Sequence, residues 1–179
     1  MDIKQLVKVT AKGWSLSILS HLHAGITARQ APLLAACGAS RTAFAQSLNH
    51  LLDIGLLDRN PGHGHPLRPE YRLTATGATA AALAHRIMQT TPQTPTLLRR
   101  HWTVPVLAAL HTPRRFNEIK RVLPAITDRA LSQSLKSMEQ SNWVQRKIVD
   151  SARPPSSLYS AINTGNRISQ VLSTQLSPL

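Results

Sequence analysis

Two short runs of side chains carry the groups that read the edges of base pairs. One holds Arg41, Thr42, Ala45, Gln46 and Asn49; the other holds Arg129, Ser132, Gln133 and Lys136. Arginine pairs bidentately with guanine, and glutamine or asparagine does the same with adenine. Each run alternates with apolar residues at helical spacing: Phe44, Leu48 and Leu51 in the first, Leu131, Leu135 and Met138 in the second. That spacing predicts two amphipathic helices, each with an apolar face in a core and a polar face turned outward. A merely solvated polar face is the ordinary alternative. The surroundings of the two runs decide between these readings.

The elements that must position them recur along the chain. Trp14 and Trp102 stand 88 positions apart, and Tyr71/Tyr159 and Gly77/Gly165 keep the same offset. Gln46-Ser47-Leu48 returns as Gln133-Ser134-Leu135 at an offset of 87, so one residue is lost and regained between the anchors. The chain therefore reads as two copies of one unit, residues 1–89 and 97–179, joined by a proline-containing linker over 90–96. In the first copy, helices are expected over 14–22, 28–36 and 41–54, with Ser40 as N-cap of the third and Gly55 as its stop. Strands follow at 56–59 and 70–73, then a helix capped by Thr76 and reaching Met88. The second copy repeats the order: helices over 102–110, 117–122 and 128–140, the last capped by Thr127 and stopped by Asn142. Strands at 144–149 and 158–161 precede a closing helix over 164–176. Three helices, a two-stranded hairpin and a closing helix define a winged helix-turn-helix. The fold class expected is mainly α with small β wings (α+β), in two tandem domains that form a pseudo-dimer.

Charge narrows the partners. With 21 Lys+Arg against 8 Asp+Glu the net charge is +13, a field that draws in polyanions. Residues 1–90 carry 9 basic and 4 acidic side chains and residues 91–179 carry 12 and 4, so both copies share the excess. Double-stranded DNA fits this balance. A membrane surface does not, because no basic amphipathic helix with bulky apolar residues is evident. Aromatic residues make up only 4% of the chain, which argues against binding single strands by base stacking. No apolar stretch is long enough to span a bilayer. The first 14 residues lack the apolar core of a secretory signal, and a lone Cys37 permits no internal disulfide, so a cytoplasmic, nucleoid-associated location is expected.

The second copy also carries a recognisable set of motifs. His101-Trp102-Thr103-Val104-Pro105-Val106-Leu107, Pro113 through Ile119, Leu123-Pro124-Ala125-Ile126, Arg129 through Lys136, and the wing run Arg153-Pro154-Pro155 to Tyr159 resemble the HxlR branch of the MarR-like winged-helix regulators. The first copy is similar more loosely, keeping Trp14, Ser47-Leu48, Gly55-Leu56-Leu57, Pro66, Tyr71-Arg72-Leu73-Thr74 and Gly77. The resemblance implies a transcription regulator that binds duplex DNA, and repression is the mode expected of this chain. Members of the branch are usually single units that pair through their terminal helices. Here that implies packing of the closing helices of the two copies, and leaves a homodimer of chains open. Branch members that sense electrophiles or oxidants use a cysteine upstream of the tryptophan, and none precedes Trp14 or Trp102 shortly. Any small-molecule effector is left unassigned.

The remaining candidates follow from the wings. Arg59, Arg68 and Arg72 in one wing, and Arg146, Lys147 and Arg153 in the other, have the charge to hold phosphate or enter the minor groove. Arg114 and Arg115, just before the second helix-turn-helix, are expected to meet the DNA backbone. His63 and His65 fall short of a metal site, because no Cys lies beside them and the nearest acids are Asp58 and Glu70. Cys37 reads as an inert buried thiol, and Trp14 and Trp102 as core on the apolar faces of their helices. No nucleophile–base–acid set, glycine-rich phosphate loop or carboxylate pair emerges, so neither enzyme activity nor a cofactor or metal is expected. Two rivals stay open: a plasmid-type replication initiator or architectural DNA-binding protein, and a tandem winged-helix interaction subunit without DNA specificity. The latter sits poorly with +13.

Overall fold

The computed structural model describes residues 1–60, 69–91, 96–149 and 156–176. In chain order the elements are α1 (Ile3–Val9), α2 (Ser15–His23), α3 (Gln30–Cys37), α4 (Arg41–Asp53), β1 (Leu57–Asn60), β2 (Glu70–Leu73) and α5 (Ala75–Gln89). A 3-10 turn (Thr96–Arg99) leads into α6 (Thr103–Ala109), β3 (Arg114–Arg115), α7 (Phe116–Val122), α8 (Asp128–Gln140), β4 (Val144–Val149), β5 (Ser156–Ala161) and α9 (Asn163–Ser173). They form two compact units, Lys8–Thr94 and Pro95–Leu179, and the second also takes in Met1–Val7. The first compact unit thus starts at Lys8, seven residues inside the span expected from the repeat.

In the Lys8–Thr94 unit, α2 lies at the centre with Leu16, Ile18 and Leu19 buried against Leu33, Phe44, Leu48 and Leu51. The long helix α5 packs along α2 through Ala80, Ala81, Leu83, Ala84 and Ile87, and its alanines permit the close approach. The hairpin β1–β2 pairs antiparallel from Leu57↔Leu73 to Asn60↔Glu70. In the other unit α6 is buried from end to end, Thr103 through Ala109, and α9 covers it with Ile168 and Leu172. Its sheet has three strands in the order β3-β5-β4, because Arg114 and Arg115 pair with Tyr159 and Leu158.

The repeated glycines have a packing reason. A Cβ on Gly77 would lie 1.9 Å from the carbonyl oxygen of Leu56, and one on Gly165 would lie 2.1 Å from that of Trp143. Those carbonyls accept from the residues that lead into the closing helices, Thr74 N–H at 3.1 Å and Ile162 N–H at 2.8 Å. Each closing helix is therefore pinned to the residue just before its wing, at a distance only glycine allows. The predicted helix stops also hold: Gly55 and Asn142 have φ of +69° and +55°, where an ordinary residue is strained.

Several details differ from the sequence reading. Thr74, not Thr76, caps α5: its Oγ1 accepts from Gly77 N–H at 3.0 Å and donates to the Gly55 carbonyl at 2.9 Å. The chain leaves β2 at Leu73, so the helix begins two residues earlier than the Thr76 cap implies. Trp14 and Trp102 occupy the N-cap positions of α2 and α6 and are half-buried rather than interior. Within the expected linker, Thr90 and Thr91 continue the end of α5 by donating to the Ile87 and Met88 carbonyls at 2.7 and 3.1 Å, and Thr96 opens the 3-10 turn. The rest of that linker, 92–95, lies outside the described residues.

Candidate nucleic-acid interface

The orientation of α8 is set by what it buries. Leu131, Leu135 and Met138 are 0–2% exposed. Burying a side chain of that size contributes about 1.5–3 kcal/mol, so the three together outweigh any preference of the polar face by several kcal/mol. Arg129, Ser132, Gln133 and Lys136 are consequently exposed as a set. Thr127 Oγ1 accepts from Ala130 N–H at 3.2 Å and fixes where the helix begins. An ion pair between Lys120 of α7 and Asp128 of α8 spans the turn of the helix-turn-helix. The carboxylate of Glu118 accepts from Arg115 N–H at 2.6 Å and holds the start of α7.

The same logic orients α4. Phe44, Leu48 and Leu51 are buried, Ser40 Oγ accepts from Ala43 N–H at 3.3 Å, and Arg41, Thr42, Gln46 and Asn49 are exposed. Ala45 is half-buried at the margin of this face. Ser47 turns inward: its hydroxyl donates to the Ala43 carbonyl at 3.0 Å and accepts from Trp14 N–H at 3.3 Å. The polar side chain that the two helices share in exposed form is therefore glutamine, Gln46 and Gln133.

The wings place their cations outward. Arg59 and Arg72 are exposed on β1 and β2, and Arg146 and Lys147 on β4. Arg146 Nε donates to Ser157 Oγ at 2.8 Å, which holds one edge of its guanidinium against β5. Ile148, 59% exposed, continues the same strand, so β4 is open to solvent on both faces at this point. Arg68 and Arg153, with His63 and His65, lie outside the described residues. Arg115 is exposed as expected, but Arg114 is half-buried in strand β3 and its Nε is buried without a hydrogen-bond partner. A two-residue strand had no period from which it could be read.

Cys37 is the last residue of α3 and half-buried, less enclosed than the sequence suggests, because its neighbours Ala35 and Ala36 face solvent. Burial pushes its thiol pKa up, and a hydrogen bond with Ser17 partly offsets that rise. Among the described residues no cluster of three or more His, Cys, Asp or Glu side chains is placed to hold a metal. No described helix is long and apolar enough to cross a membrane.

One pair of cations was not singled out from the sequence. Lys12 and Arg100 are exposed, each two residues before a repeated tryptophan. Their shared offset of 88 was the available signal.

This arrangement, repeated twice, is that of a tandem winged helix-turn-helix protein. The chain belongs to the HxlR-like helix-turn-helix family, whose model matches residues 9–94 and again 97–177. Among curated proteins it is 35% identical over 63 residues to the uncharacterized HTH-type transcriptional regulator YkvN of Bacillus subtilis, covering 35% of this chain and 52% of that protein. It is 30% identical over 108 residues to an uncharacterized HTH-type transcriptional regulator of Mycobacterium bovis, covering 57% of this chain and 68% of that one. The chain thus spans about half to two-thirds of the length of these relatives. Among solved structures, the reduced form of the transcriptional regulator YodB from B. subtilis aligns at 28% identity with a TM-score of 0.39, over 44% of this chain and 78% of that one.

Proposed function

We propose that the protein is a transcription regulator that binds duplex DNA, with α4 and α8 as its two reading helices. The observation that carries this reading is the exposed set Arg129, Ser132, Gln133 and Lys136, held outward by three buried side chains in a chain of net charge +13. An α-helix with its side chains is about 10–12 Å across and the major groove about 12 Å wide, so such a helix fits the groove and reads from its outer face. Arg129 and Lys136 suit guanine, Gln133 suits adenine, and Gln46 and Asn49 suit adenine on the other helix. Arg41 joins them as a guanine reader, while Thr42, Ser132 and Ala45 contribute smaller contacts. Arg59, Arg72, Arg146 and Lys147, with Arg68 and Arg153, serve the phosphates and the minor groove, and Arg115 serves the backbone.

Two unlike reading helices in one chain act as an intramolecular pseudo-dimer on a pseudo-palindromic site, its halves about 10 base pairs apart. Repression is the mode of regulation proposed for the protein. The domains correspond to the two copies, and the closing helices α5 and α9 are the surfaces for their pairing or for a homodimer of chains. A protein of this kind acts in the cytoplasm at the nucleoid, needs no cofactor and performs no catalysis.

A mobility-shift titration across salt concentrations tests the reading. A specific binder loses affinity steeply with log[salt] yet keeps a preferred sequence. A shift with no sequence preference supports an architectural protein instead. Absence of any shift at low salt removes DNA binding altogether.

A further inference from the structure

Beside α8 the surface folds into an open concavity of about 310 Å³, lined on one side by Arg100, His101 and Trp102 and on the other by Ala130, Gln133 and Ser134. Gln133 belongs to the reading face, so this hollow adjoins the bases that α8 would read. Arg100 is exposed, and its Nη1 donates to Ser137 Oγ on α8 at 2.7 Å. A guanidinium has five donors, so this bond fixes the group on the flank of α8 and leaves others directed away. The backbone that carries it is also held. His101 stacks on Trp102 with ring centroids 4.3 Å apart, and His101 Nε2 donates to the Val7 carbonyl at 3.1 Å.

The other unit carries a cation at the corresponding sequence position. Lys12, 88 positions before Arg100, is exposed and stands two residues before Trp14. The Trp14 N–H to Ser47 Oγ bond ties that segment to α4, as Arg100 and Ser137 tie theirs to α8. Two copies that differ across most of their polar positions thus keep a positive charge two residues before the repeated tryptophan.

We infer that Arg100 and Lys12 each clamp a DNA backbone phosphate at the wall of the major groove, beside the bases read by α8 and α4. The reason is dimensional. A helix nearly as wide as the groove leaves its outer face against bases and its flanks against the two phosphate walls. A cation tethered to a flank meets phosphate, and the hollow beside Gln133 gives a sugar–phosphate unit room to seat. These contacts fix the register of the reading helices and carry no sequence information of their own.

The inference rests on the DNA-binding reading, and one experiment separates the two. The full chain is titrated against a duplex carrying its selected site over a series of NaCl concentrations, with Arg100→Gln, Lys12→Gln, the double variant and Arg100→Lys in parallel. Neutralising one phosphate contact reduces the slope of log K against log[salt] by about 0.9. Each glutamine variant is expected to lose about that much and the double variant about twice it, with base preference unchanged, while Arg100→Lys keeps the parent slope. Both positions are exposed, so thermal melts of the glutamine variants should match the parent. A parent that binds specifically, with glutamine variants that keep its slope or change its base preference, overturns the phosphate clamp and leaves the regulator reading standing. A parent that binds no duplex at low salt overturns both.

Discussion

The two units share a plan and differ in how the wing is joined to the helix-turn-helix. In the Pro95–Leu179 unit, Arg114 and Arg115 form a third strand on β5, so two backbone pairings tie the entry of α7 to the wing. In the Lys8–Thr94 unit the same junction has a single bridge between Arg29 and Glu70, reinforced by their side chains and by one neighbouring backbone bond. Arg29 donates to the Glu70 carboxylate through Nε at 3.0 Å and Nη2 at 2.6 Å, and Tyr71 N–H donates to the Ala28 carbonyl at 2.8 Å. The exposed faces of α4 and α8 differ as well: Arg129 and Lys136 on α8 align with Thr42 and Asn49 on α4 at the offset of 87, while Arg41 on α4 aligns with Asp128 on α8. A duplicated fold can keep its core and caps while the charged side chains of its exposed faces change places.

The glycine contacts are the part of the plan both units share, and altering them gives the largest effect. Gly77→Ala and Gly165→Ala are each expected to destabilise their own unit by about 3 kcal/mol, the upper end of overpacking costs. Urea unfolding followed by tryptophan fluorescence checks this, since Trp14 lies in one unit and Trp102 and Trp143 in the other. Equal losses would mark a common constraint; a tolerated alanine in either unit would break the likeness.

Next comes the difference between the reading helices. Arg129→Ala should weaken specific binding by about 1–3 kcal/mol and relax preference at one base pair. Thr42→Ala, at the aligned position of α4, should cost less. Competition mobility shifts with single-base variants of the site measure both, and a larger loss from Thr42→Ala would invert the proposed asymmetry.

A smaller effect is expected at the side-chain junction. Arg29 and Glu70 keep 39% and 31% of their side-chain surface, so solvent screens the pair and Glu70→Gln should cost less than about 1 kcal/mol. Amide exchange should quicken at Tyr71 in that variant, and the Tyr159 amide of the backbone-paired wing should be unaffected. The smallest effect concerns Cys37. Its raised pKa means that the folded state holds the thiol proton more tightly than the unfolded chain does. The stability this confers is present below the unfolded pKa and is lost as pH rises through the folded one. Iodoacetamide should accordingly alkylate Cys37 more slowly in the folded chain than in urea at mildly alkaline pH; equal rates would contradict the burial account.

Much of this was legible in the sequence for physical reasons. Apolar spacing oriented α4 and α8, because burial of Phe44, Leu48, Leu131 and Leu135 dominates their energetics. Ser40, Thr127, Gly55 and Asn142 marked helix ends through chemistry that is local in sequence. What escaped depended on partners distant in the chain. Strand β3 exists only because β5 offers an edge to Arg114 and Arg115, and buried Ser47 accepts from Trp14 N–H, 33 positions away. α1 had too short a pattern to stand out, and the pairing of Arg100 with Ser137 joins residues 37 positions apart.

The central claim is that one chain reads two unlike half-sites with its two unlike helices. Selection of bound duplexes from a random pool by the full chain tests it most directly. The expected result is an imperfect inverted repeat with half-sites about 10 base pairs apart, one of them more strongly defined and matched to α8. A perfect palindrome, or enrichment of a single half-site, would contradict it.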